Sequence, residues 1–193
     1  MAKFISFEEQ FETLSSLGFT LCNGLSEEDL MNKFEMERYE ERPYRTLLVA
    51  MGSNKYTNGT FTSYSNNIWY FDTKCILNHG DYIKISNRLC SLTKDLLRLE
   101  EVEDYVDIEE EKAWLRFKHN GVEYHWDFQV DRAWVDVNVF VKFYELLKTV
   151  DTTISFTYLD LGGQDLLIGC CSEENFLKII ETTGLEFKWL VTD

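Results

Sequence analysis

Ala113-Trp114-Leu115-Arg116-Phe117-Lys118-His119-Asn120-Gly121-Val122-Glu123-Tyr124-His125-Trp126-Asp127-Phe128 decides the fold class. Apolar and polar residues alternate on both sides of Asn120–Gly121. That dipeptide is the favoured two-residue hairpin turn, because both of its positions need a positive φ. The stretch predicts two antiparallel strands, with Trp114, Tyr124 and Trp126 adding large rings. Immediately upstream, residues 100–111 hold eight carboxylates in twelve positions and no base. Val102, Asp104, Val106 and Ile108 recur there at alternate positions, the pattern of a strand with one apolar and one anionic side.

Working outward, Asp136 is placed to cap a helix to about Leu147, with Val139, Phe140, Phe143, Leu146 and Leu147 inward. Ile154–Leu159 and Asp165–Cys170 read as strands around a Gly162–Gly163 turn. Ser172 then caps a helix with Phe176, Leu177 and Ile180 inward, Gly184 stops it, and Leu185–Val191 makes a last strand. Towards the N-terminus, Asp81 is expected to cap a helix over about 82–97, its stripe formed by Tyr82, Ile85, Leu89, Leu92 and Leu96. Tyr64–Phe71 reads as a strand, and residues 52–66, rich in Ser, Thr, Asn and Gly, as a long loop. The apolar run in Tyr44–Met51, followed by Gly52, favours a strand over a helix end. Ser6 and Ser26 open two N-terminal helices with acids in their first turns. Strands in hairpins with helices between them predict an α+β fold: a largely antiparallel sheet and four to five helices. Residues 1–193 are expected to form a single domain, with a helical part, 1–43, packed on the sheet.

The chain of 193 residues has 34 Asp and Glu against 19 Lys and Arg, a net charge of −15. The excess lies mainly in residues 101–193, which hold twenty acids and eight bases. Such a field disfavours nucleic acid and anionic lipid and attracts cationic proteins. No apolar run approaches a membrane span, and the N-terminal residues lack the form of a leader. Cys22, Cys75, Cys90, Cys170 and Cys171 are odd in number and have no scaffold spacing, as in a reduced cytoplasmic protein.

Three chemistries are open to these residues. Cys170–Cys171–Ser172, at a strand-to-helix junction, is the candidate nucleophile of a small cysteine enzyme working with His79 or His125. Cys75 and His79, four apart, would hold a metal only together with nearby acids, since no second Cys/His pair is near in sequence; no metal and no cofactor are expected. Glu100, Glu101, Glu103, Asp104, Tyr105, Asp107, Glu109, Glu110 and Glu111, with Trp134 as a second ring, form a candidate partner-binding face. Its use depends on the negative charge being gathered on one ordered patch.

The phrases Trp69–Tyr70–Phe71–Asp72–Thr73–Lys74–Cys75, His79–Gly80–Asp81–Tyr82 and Phe156–Thr157–Tyr158–Leu159–Asp160–Leu161–Gly162–Gly163–Gln164–Asp165 resemble passages of an uncharacterised family of small acidic bacterial cytosolic proteins. That resemblance implies no activity. In size, acidity and α+β texture the chain is also similar to immunity proteins that neutralise polymorphic bacterial toxins. The similarity implies a non-enzymatic acidic inhibitor of a basic partner protein, and it carries no residue assignments.

Overall fold

In the computed structural model, which describes residues 4–191, chain order runs α1 (Phe7–Ser16), α2 (Glu27–Met31), α3 (Met36–Glu41), α4 (Arg45–Gly52), β1 (Asn54–Thr57), β2 (Thr60–Ser63), β3 (Ile68–Asp72) and α5 (Asp81–Leu92). It continues through β4 (Glu100–Asp107), β5 (Lys112–His119), β6 (Val122–Gln129), α6 (Asn138–Val150), β7 (Ile154–Gly162), β8 (Asp165–Ser172), α7 (Glu173–Thr183) and β9 (Lys188–Trp189). Every strand pairing is antiparallel, in sheets ordered β1-β2, β3-β8-β7-β9 and β4-β5-β6. The fold is α+β, with seven helices among the described residues. Met1–Lys3, part of the N-terminal stretch judged not to be a leader, lie outside the described residues.

The β3-β8-β7-β9 sheet is the middle layer. Along β8, Leu166, Ile168 and Cys170 enter one core while Leu167 and Cys171 enter the other. Both faces are covered, which is why Leu166–Leu167–Ile168 is an unbroken apolar run and not an alternating one. One core packs α5, α6 and the inner face of β4-β5-β6 against Phe71, Phe156 and Ile168. There Phe143 of α6 meets Phe117 and Trp126 at ring-centroid distances of 6.3 and 5.2 Å. The other core seats the N-terminal helices and α7 on Ile68, Leu159 and Leu167.

Several elements differ from their sequence signals. Tyr44–Met51 belongs to no strand: residues 45–52 are α4, with Leu47, Leu48, Ala50 and Met51 buried. Gly52 serves close approach. A Cβ there would lie 2.7 Å from the backbone nitrogen of Tyr70. Residues 52–66 contain the β1-β2 hairpin, turned at Asn58–Gly59, where both φ angles are positive. Its polar strands carry no period-2 signal. Helix α5 stops at Leu92, since Lys94 and Asp95 are left-handed, and Leu96 is exposed. In α7 the buried residue is Ile179, flanked by half-buried Phe176 and Ile180. Leu177 falls off that i, i+3, i+4 stripe and is 57% exposed. The last strand shrinks to Lys188–Trp189.

Candidate recognition surface

The sequence-predicted hairpin forms with Asn120 and Gly121 at φ of 49° and 76°. Alternation sends Ala113, Leu115, Phe117 and His119 inward from β5 and leaves Lys112, Trp114, Arg116 and Lys118 on the outer face. Register then sets the rows across that face. Asp107, Lys112 and Gln129 align, then Tyr105, Trp114 and Asp127, then Glu103, Arg116 and His125. A basic central strand is thus bordered by two acidic ones.

Aromatic contacts cross this charge pattern. Tyr105 stacks on Trp114 at 6.0 Å with an interplanar angle of 11°. Trp114 meets His125 at 5.4 Å, and His79 meets Tyr105 at 5.0 Å. The result is a stripe of four rings over the outer face, with Tyr105 39% exposed. His79 is fixed by the Val106 backbone N–H, which donates to its Nδ1 at 2.9 Å. Asp107 accepts from the Tyr105 hydroxyl at 3.1 Å and from Glu110 N–H at 2.9 Å. Those bonds, the Glu110 N–H first, hold its carboxyl below the ordinary range, and the same contact raises the Tyr105 phenol.

The acidic run is distributed among several tasks. Glu101 pairs with Lys118 and Glu103 with Arg116, each at 2.6 Å, and Glu110 with Lys112 at 3.3 Å. Asp104 turns to the inner side, where its carboxylate accepts from the N–H groups of Gly80, Tyr82 and Ile83 at 2.6, 2.9 and 3.2 Å. It therefore does the capping expected of Asp81, which instead accepts from Leu77 and Asn78 N–H. Among the described residues, Glu100, Glu109 and Glu111 make no ion pair. Surface pairs of this kind are screened and weak, so the acids outnumber their bases without being cancelled. The sequence reading required the negative charge to be gathered on one ordered patch, and the surface does not meet that condition: three of the eight carboxylates are paired with Lys or Arg and Asp104 faces inward. The surface is banded, with its unpaired charge, among the described residues, at Glu100, at Glu123 on β6 and in the Asp107–Lys112 turn. Ile108 sits exposed in that turn. Trp134 lies outside the stripe, in the Asp131–Trp134 turn that leaves β6.

Cys170 and Cys171 point into different cores. Burial pushes the Cys170 thiol up to about 12 and the Cys171 thiol up to about 11, which opposes the thiolate a nucleophile needs. All three histidines are engaged at the β4-β5-β6 sheet: His79 with Val106, His119 with Arg98, His125 with Asp127. Among the described residues, no hydrogen bond joins a histidine to either thiol. Burial also raises Cys75, to about 12. No group of three or more His, Cys, Asp and Glu side chains among the described residues is arranged to hold a metal ion. Among the described residues, no helix is long and apolar enough to cross a membrane.

His79, Trp114, His125 and Asp127 were not singled out for this surface from the sequence. Trp114 was within reach, since it occupies the same outward parity as Lys112, Arg116 and Lys118. His79 was not, because its place depends on a contact with a strand more than twenty residues away. Set against protein-family models, curated proteins and solved structures, the chain matches none.

Proposed function

We propose that this protein is a non-enzymatic, acidic binding protein of the cytoplasm that inhibits a cationic protein partner, in the manner of an immunity protein facing a toxin. The observation that carries it is the ring stripe His79–Tyr105–Trp114–His125 on the outer face of the sheet, with His79, Tyr105 and His125 exposed, Trp114 half-buried and carboxylates at the rim. Aromatic rings on a fixed scaffold lose little conformational entropy when covered and are enriched among residues that dominate binding energy. The net charge of −15 supplies long-range attraction for a basic surface and repels nucleic acid.

The test is recovery of a complex from the native cytoplasm at low salt, followed by affinity measurement with the purified partner. The partner is expected to be basic, and its affinity to fall as salt rises. Tyr105→Ala and Trp114→Ala, checked for unchanged circular dichroism, are each expected to weaken binding by about thirtyfold, the loss typical of a central aromatic anchor. A partner that binds both variants as well as the parent, or a complex indifferent to salt, refutes the proposal.

A further inference from the structure

The β4-β5-β6 sheet has two edges, and they are unequal. In a two-residue hairpin the residues flanking the turn exchange both hydrogen bonds, so His119 and Val122 form a hydrogen-bonded pair. Counting in twos along β6, Tyr124, Trp126 and Phe128 also direct their backbone groups to β5. Glu123, His125, Asp127 and Gln129 direct theirs outward. Two observed bonds fit this parity: Val130 N–H goes to Glu111 C=O on the β5 side, and Gln129 N–H goes outward to the Asp136 carboxylate. The backbone of Glu123, His125 and Asp127 thus forms an open row, with β5 the only strand paired to β6 among the described residues.

Each other edge of the two larger sheets is obstructed or short. On β4 the register shifts between Glu100 and Glu103, and the His79 ring occupies the outward Val106 N–H. On β3 the Arg88 guanidinium donates to Ile68 C=O at 2.7 Å. Strand β9 has two residues. Strand β6 has eight, in unbroken register and without proline, a form that pairs readily with another strand.

We infer that the β6 edge accepts a strand from the cationic partner, adding it as a fourth strand of this sheet. The inference rests on the proposed function and names how the partner is held. The side chains select the occupant. On the outer face an added strand would lie beside Glu123 and Asp127, four residues apart, so it matches lysine or arginine at i and i+4. On the inner side it would lie beside Tyr124, Trp126 and Phe128, so it matches apolar residues at the intervening positions. A second copy of this chain is disfavoured, because antiparallel pairing of two β6 strands about His125 sets Glu123 against Asp127.

The probe is the capped peptide TVKVTVKV, with TVEVTVEV as control, and the readout is amide hydrogen exchange followed by NMR. The lysine peptide is expected to slow exchange at Glu123, His125 and Asp127 by about tenfold or more, while the control leaves it unchanged. The double variant Glu123→Lys with Asp127→Lys is expected to abolish the protection. His125→Pro removes an outward N–H and no ladder bond, and is expected to do the same with the fold retained. Absence of protection at these amides, or equal protection by both peptides, overturns the inference. Perturbation of Tyr105 and Trp114 resonances without edge protection also overturns it, and leaves the proposed function standing. Conversely, edge protection that survives Tyr105→Ala and Trp114→Ala, with no basic partner recovered, refutes the proposed function alone.

Discussion

Gln10 is a fully buried amide whose bonds join three segments. Its Nε2 donates to Ile5 C=O at 3.0 Å and to Tyr39 C=O at 3.1 Å, and its Oε1 accepts from Tyr44 N–H at 2.8 Å. Gln10→Leu keeps the volume and strands three backbone groups. The expected loss is about 3 kcal/mol, read from the urea midpoint, because each unpaired buried group costs roughly 1–3 kcal/mol before relaxation. Asp104 is expected to matter for a different reason. Asp104→Ala removes the acceptor at the start of α5 and should cost about 1–2 kcal/mol by the same measurement, the upper range of a lost helix cap. Asp81 gives a pH signature. Burial works to raise its carboxyl, but Lys84 at 2.7 Å and the Leu77 and Asn78 N–H groups outweigh that, and the net shift is downward from 3.8. A carboxyl lowered on folding contributes stability that is complete above its unfolded value, about pH 4, and is lost as pH falls through the lower native value. Asp81→Asn is therefore expected to flatten the acid limb of the stability–pH curve below about pH 4 and to lower the neutral plateau. An acid limb identical to that of the parent would show that Asp81 titrates alike in both states.

Helix α4 is the element whose type the sequence signal reversed, and the reason is physical. Leu47–Leu48–Val49–Ala50 has no polar position to mark a 3.6-residue period, and a short apolar run is equally consistent with a buried strand. What fixes it as a helix is its seat over β3, where Gly52 allows backbone to approach backbone. Gly52→Ala places a Cβ 2.7 Å from Tyr70 N and 3.1 Å from the Trp69 carbonyl carbon. Neither is a flexible side-chain end, so the helix must shift, at an expected cost of about 2 kcal/mol in chemical denaturation. An unchanged midpoint would mean that α4 slides on β3 without loss. By contrast, the β5-β6 hairpin was legible in full. Its period of two, its Asn120–Gly121 turn and its ring content all specify one answer. The β1-β2 hairpin was legible only as a turn, since Thr, Asn and Ser strands that cover no core show no alternation. The acidic run was legible as a strand, but the inward role of Asp104 depends on where α5 begins, which no local pattern states.

On the scale of the whole chain, the β3-β8-β7-β9 sheet ties the two cores together, because alternate residues of the same strands enter each of them. The side-chain parity of β8 leaves no way to unpack one face and keep the strand. Removing Leu167 from the core under the N-terminal helices should therefore weaken the far core that holds Phe143, Phe117 and Trp126. Leu167→Ala deletes a fully buried side chain, and a loss of about 2–5 kcal/mol is expected from the transfer and cavity terms together. Two probes report on the two sides. Trp189, stacked on Phe176 at 4.1 Å, responds beside α7, and Trp126 responds within the far core. Replacing the other tryptophans with phenylalanine isolates each signal. A shared middle layer requires both fluorescence transitions and the far-ultraviolet circular dichroism to move to the same lower urea midpoint in the Leu167→Ala protein. If the Trp189 transition moves and the Trp126 transition stays at its original midpoint, the cores unfold separately. The sheet would then be a boundary between two units, and alternation along β8 would have to break before the strand itself does.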